Sequence, residues 1–162
     1  NTTDEDELNE AMEELKIQSK LNKAYTIDEV RDKMINGAAA IGVIYSGEYL
    51  YCQEENEDLE YVIPKEGTNI WYDGWVITKG SENVENAHKW IDFLCSQEAA
   101  YDNFEYIYYG TPNIAAQELI DEDIINNPGV FPDEETIEKC EVYNYLGEEA
   151  EDMYYELWKK VK

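Results

Sequence analysis

IWYDGWVITKGSENVENAHKWIDFL, residues 70–94, decides the fold class because its periodicity changes midway. In the first half Trp, Tyr, Val and Ile suit a strand, where side chains of period two share a face. Trp71, Asp73 and Trp75 then occupy one face, and Ile70, Tyr72, Gly74 and Val76 the other. From Val84 onward Ala87, Ile91, Leu94 and Cys95 recur at helical spacing. A strand running into a helix is the repeating element of α/β proteins.

The flanking segments extend that pattern. Thr2 and Glu5 have the spacing of a capping box, and Leu8, Ala11, Met12 and Leu15 behind them predict an amphipathic helix over 4–18. YTIDEVRDKMING, 25–37, reads as a short strand or turn and a helix ending at Gly37. AAAIGVIYSG reads as a buried strand, EYLYCQEEN as a short helix and LEYVIP as a second strand stopped by Pro64. Residues 69–80 form the third strand. EAAYDNFEYIYY predicts another helix, TPN at 111–113 a turn and cap, and IAAQELI the helix that follows. The acidic stretch 121–133 reads as a surface connection. Ala150, Met153, Tyr154, Leu157, Trp158 and Val161 mark a terminal helix after Gly147. Cys95, on the apolar side of its helix, is expected in the core.

The chain has 162 residues with 38 acids against 12 bases, a formal net charge of -26. Such a surface repels nucleic acid and anionic lipid and concentrates cations. The aromatics are mostly 14 Tyr and 4 Trp, whose faces attract cations. Cys52, Cys95 and Cys140 are far apart and show neither zinc nor disulfide spacing. AAAIGVIY at 38–45 is too short to cross a membrane. No GxSxG, P-loop or GxGxxG occurs. The single histidine, His88, lies mid-helix and reads as a surface residue, and the acidic runs lack the spaced ligands and glycine of a calcium loop. Neither an enzyme nor a cofactor is expected.

Asp73 between two indoles needs a partner, because a carboxylate among apolar groups is costly unless paired or hydrogen-bonded. A ligand ammonium would serve, boxed by ring faces. So would backbone N–H groups of the following turn, with the tryptophans packed inside.

IWYDGWVITKGSENVENAHKWIDFL, EYIYYGTPNIAAQEL and FPDEETIEKCEVYNYLG resemble, in order, the spermidine/putrescine-binding proteins of polyamine ABC transporters. NTTDEDELNEAMEELK and GAAAIGVIYSGEYL fit the same family in register. The resemblance implies an α/β, periplasmic-binding-protein-like (type II) two-lobed fold, with a polyamine held between lobes by rings and carboxylates. It implies that Trp71 lies against the methylene chain, that Asp73 binds an amine, and that Tyr45, Tyr109 and Tyr143 line the cleft. Tyr45 stands where the family often has tryptophan, and Tyr143 where family members can carry an amide. Trp75 matches a position that is usually aliphatic, and packing is expected of it.

The resemblance covers only the C-terminal half of such a protein, so the chain reads as a processed or truncated piece. It implies that residues 1–70 and 119–162 belong to one lobe and 71–118 to the other. Strand edges and apolar faces normally covered by the other half are then exposed, and self-association is expected. ABC permease subunits are the implied protein partners. The implied location is extracytoplasmic, as a periplasmic protein or lipoprotein. The rival readings are a sugar receptor stacking pyranose on the same rings, a carboxylate-dependent hydrolase and an acidic interaction domain.

Overall fold

The computed structural model describes residues 1–162. In chain order the elements are α1 (Glu5–Ser19), α2 (Glu29–Ile35), α3 (Ser46–Glu55), β1 (Asn69–Ile70), α4 (Val84–Leu94), α5 (Gln97–Ile107), α6 (Ile114–Gln117), α7 (Glu122–Ile125), α8 (Glu134–Ile137), β2 (Glu141–Val142) and α9 (Glu148–Val161). They form two compact units, one of Asn1–Thr26, Asn69–Trp71 and Glu141–Lys162, the other of Ile27–Thr68 and Tyr72–Cys140.

In the first unit α1 packs on α9. Leu8 and Met12 of α1 meet Leu157 and Val161 of α9, with Leu15, Met153 and Trp158 around them. This is the i, i+4 stripe that each amphipathic sequence predicts. Tyr25 closes one end, its ring edge-on to Trp158 at 5.1 Å. The cap of α1 differs from the expected Thr2–Glu5 box. Asp4 is the N-cap and accepts from the amides of Asp6 and Glu7, while Thr2 Oγ1 donates to Glu7 Oε2 at 2.6 Å. Aspartate caps as well as threonine, and here it stands at the residue where the helix starts.

The second unit is built on Tyr49 and Leu50 of α3, Phe104 of α5, Ile120 and Val130. Tyr61 stacks on Tyr49 at 5.1 Å and Phe131 lies 6.0 Å from Phe104. The connection 121–133 therefore contributes Val130 to the core and contains the single turn of α7. Cys52 is buried in α3, and burial above all, with Glu48 beside it, pushes its thiol pKa up. That makes it an unreactive packing residue.

The strand expectations are corrected. Of the expected third strand, 69–80, only Asn69–Ile70 pairs, in parallel with Glu141–Val142, and neither AAAIGVIYSG nor LEYVIP joins a ladder. Both remain extended with burial of period two: Gly42 and Ile44 face inward, as do Leu59, Tyr61 and Ile63. Gly42 is pressed so closely on α2 that a Cβ there would lie 2.7 Å from Val30 Cγ2. The opposite face is open, with Ile41 91% and Val43 94% exposed. A continuous apolar run is the mark of a strand buried on both faces. Here one face is covered by helices and the other has no neighbour. Cys95 is likewise exposed, because α4 buries no residue and turns Trp90 and Phe93 to solvent.

Candidate functional site

The residues singled out by sequence fall into two groups, one in each unit. In the first unit Trp71 follows β1 and Tyr143 follows β2. The parallel register pairs Asn69 with Glu141 and Ile70 with Val142, so Trp71 and Tyr143 are the next position on each strand. Both emerge at the carboxyl ends of adjacent parallel strands, where open α/β sheets receive their ligands. Tyr143 is exposed, and Trp71 is more than half covered.

In the second unit the site is set by the end of α5. The helix stops at Tyr108, the one non-glycine residue with positive φ (57°), and Tyr108 donates its hydroxyl to Glu54 Oε1 on α3 at 2.7 Å. The left-handed residue reverses the chain, and Tyr109 comes back against the first turn of α3. Contact there is close: a Cβ on Gly47 would lie 2.9 Å from Tyr109 Cδ2 and 2.5 Å from the Ile107 carbonyl oxygen. Glycine is therefore required for proximity.

Beyond Tyr109 the TPN turn behaves as its sequence predicts. Asn113 Oδ1 caps α6 by accepting from the Ala116 amide, and its Nδ2 donates to the Cys95 carbonyl at 2.8 Å. Gln97 donates to the Ala115 carbonyl and Gln117 to the Thr111 carbonyl, each at 2.7 Å. Tyr109 thus rests on a segment fixed at both sides.

Tyr109 shares its electrostatic surroundings with the other candidates of this unit. Burial pushes its phenol pKa up, followed by Glu48, Tyr45, Asp73 and Tyr61. Tyr45 is the N-cap residue of α3 and exposes part of its ring. Asp73 is exposed and accepts no hydrogen bond from the protein, so the reading in which it caps the following turn is not the one realised. Trp75, expected to pack, is 69% exposed. Glu48 was not singled out by sequence; its only signal was its place three residues after Tyr45.

An exposed carboxylate that accepts no hydrogen bond, in a chain of charge -26 rich in Tyr and Trp, suits an organic cation. No group of three or more His, Cys, Asp or Glu is arranged to hold a metal ion, and His88 is exposed on α4. No helix is long and apolar enough to cross a membrane. Two concavities lie elsewhere. One of about 300 Å³ is lined by Tyr61, Pro64, Gly129 and Lys139, and one of about 330 Å³ lies between α1 and α9.

Residues 3–132 match the family described as bacterial extracellular solute-binding protein. The chain belongs to that family. It is 35% identical over all 162 residues to the spermidine/putrescine-binding periplasmic protein of Salmonella typhimurium, and 33% to that of Escherichia coli. In each case the match covers 46% of the relative, so the chain spans about half the length of the curated relatives it matches. Among solved structures, it superposes on a spermidine/putrescine ABC transporter protein from Listeria monocytogenes with a TM-score of 0.86 at 39% identity. A spermidine/putrescine ABC transporter substrate-binding protein from Streptococcus pneumoniae gives 0.89 at 36%. Both superpositions cover 99% of this chain and 50% of the other. The expected α/β, periplasmic-binding-protein-like fold, present as part of a two-lobed structure, is therefore the observed one.

Proposed function

We propose that this chain is the C-terminal half of an extracytoplasmic receptor that binds spermidine or putrescine for an ABC importer. The observation that carries the reading is Asp73: exposed, accepting no internal hydrogen bond, and acting on the same phenol, Tyr109, as Tyr45. It is supported by relatives named for spermidine and putrescine that align with the whole chain. A polyamine is a row of ammonium groups joined by methylenes. Asp73 takes an ammonium while the Tyr45 and Tyr109 rings cover methylenes; Trp71 and Tyr143 are each a ring of the kind that lies against a methylene chain.

In the complete receptor residues 1–70 and 119–162 form one lobe and 71–118 part of the other. Ligand contacts from both lobes favour the closed state, which docks on the permease. The receptor performs no chemistry and acts in the periplasm or as a lipoprotein at the membrane's outer face. The open faces of Ile41, Val43, Trp90 and Phe93 lie against the remaining half in that receptor; without it, copies of this chain associate through them.

Calorimetry of the full-length receptor with spermidine, putrescine and a neutral sugar tests the reading. Binding of an amine that weakens as salt rises supports it. Binding of the sugar alone, or of none of the three, overturns it.

A further inference from the structure

We infer that Asn1 is a positioning residue for polyamine binding: its side-chain amide grips the backbone on both sides of Tyr143 and so sets that residue at the carboxyl end of β2. Resting on the polyamine reading, this gives a role to a side chain that acts only through Tyr143. The β2 strand ends at Val142, and residues 143–147 have no regular structure. Tyr143 is 76% exposed, so packing does little to order it. Asn1 supplies the order instead. Its Nδ2 donates to the Val142 carbonyl at 2.7 Å, and its Oδ1 accepts from the Asn144 amide at 2.9 Å. The carbonyl of one residue and the N–H two residues on are the pair that a residue of a neighbouring parallel strand takes. The Asn1 amide thus stands in for one more strand residue opposite Tyr143. It carries the order of the β1–β2 ladder one position past its end.

The amide is itself held in place. The Asn1 side chain is only 18% exposed, and its Nδ2 also donates to Glu141 Oε2 at 3.0 Å, which accepts from the α-amino group of Asn1 at 3.1 Å as well. Both N–H donors of the amide are therefore used. The bonds around Tyr143 belong to the side chain and need no chain end at residue 1. Thr2 is tied to the helices on either side: its carbonyl accepts from Tyr154 Oη of α9 at 3.0 Å, and its hydroxyl bonds Asp4 and Glu7 at the start of α1. Asn1 is in this way fixed by the two helices that make the core of its unit. Trp71 holds the matching position after β1, so the grip on Tyr143 places the second of two neighbouring aromatic residues. A ring set beforehand loses less freedom on binding than one free to swing.

Calorimetry of the full-length receptor with spermidine and putrescine tests this for wild type, Asn1→Ala, Tyr143→Ala and the double variant. Asn1→Ala is expected to weaken both amines about fivefold, the net worth of a typical hydrogen bond. Tyr143→Ala is expected to cost at least as much, and the double variant no more than Tyr143→Ala alone. A merely structural loss would be as large with Tyr143 absent as with it present. An equal further loss in the Tyr143→Ala background therefore overturns the inference, as does wild-type affinity in either single variant, and the polyamine reading stands in each case. A wild type that binds neither amine overturns the reading itself. If Asn1→Ala does not fold, Asn1→Ser, too short to reach both Val142 and Asn144, takes its place: a several-fold loss seen only where Tyr143 is present supports the inference, and unchanged affinity overturns it.

Discussion

Tyr108 turns the chain in a left-handed conformation (φ 57°) while its hydroxyl donates to Glu54 Oε1 at 2.7 Å, which ties the end of α5 to α3. A left-handed backbone at a tyrosine costs about 1–2 kcal/mol and persists only where its surroundings hold it. The bond to Glu54 and the edge-on contact with Phe104 at 6.4 Å are what hold it. The next residue is Tyr109, so the strain lies beside a residue of the candidate site.

Tyr108→Phe removes the bond and keeps the ring. Because Glu54 is exposed, the expected loss is modest, about 1 kcal/mol of unfolding free energy in urea. Glu54→Gln is expected to lose a similar or smaller amount, and the double variant no more than the larger single loss. Fully additive losses show that the two residues do not act through each other.

Gly47→Ala tests the close approach of α3 to Tyr109. The added methyl meets the Ile107 carbonyl oxygen at 2.5 Å and the Tyr109 ring at 2.9 Å, and neither is the end of a flexible chain. The expected cost is about 1–3 kcal/mol, against the slight gain that alanine normally brings to a helix. A stability equal to or above wild type shows that the approach is looser than described.

The helices were legible in the sequence because each carries its own signals. Leu8, Met12, Leu157 and Val161 announce their stripe, and Asn113 announces its cap. The strands were not, because a strand is defined by its neighbours and this chain holds a partner only for Asn69–Ile70. Ile41, Val43 and Val62 read as core and lie exposed for the same reason. Of the candidate site, Asp73 and Tyr109 are the residues that sequence motifs single out.

Alkaline pH is expected to destabilise the second unit through Tyr61 and Tyr109. Burial, the first cause in both, raises each phenol pKa in the folded protein above its ordinary value of about 10. The stability this provides is fully present below the ordinary tyrosine pKa and is lost as pH rises through the folded value. Tyr101 and Tyr108, whose phenols are raised above all by hydrogen bonds to Glu105 and Glu54, also titrate late, so tyrosinate absorbance should show four late phenols, with those of Tyr61 and Tyr109 in step with unfolding. Tyr61→Phe should leave neutral-pH stability nearly unchanged and move the alkaline transition upward. If the transition is the same in Tyr61→Phe, Tyr61 does not contribute to it.

Asp73→Asn keeps shape and removes charge. In the full-length receptor it is expected to weaken spermidine at least tenfold and to leave the thermal midpoint unchanged, since Asp73 accepts no hydrogen bond within the fold. Trp71→Ala removes ring area from the methylenes and should weaken binding with little change in salt dependence. A fall in midpoint without a fall in affinity in Asp73→Asn assigns the carboxylate a structural role instead.

Self-association of this chain by itself follows from what α4 exposes. The helix buries none of its residues, and Val84, Trp90 and Phe93 face solvent together with the open sides of Ile41 and Val43. Apolar patches of this kind are covered in stable proteins, and strand edges without partners recruit others. Yet each copy carries a formal charge of -26, which opposes association at long range. Salt screens that repulsion and leaves apolar burial intact, so association should strengthen as ionic strength rises. Sedimentation velocity at low and high salt checks this directly. Trp90→Lys and Phe93→Glu together should return the chain to a monomer at either salt, with helix content by circular dichroism unchanged. A monomer at high salt in the unsubstituted chain overturns the prediction. Association that survives both substitutions moves the contact from α4 to the unpaired edges at 40–45 and 59–64.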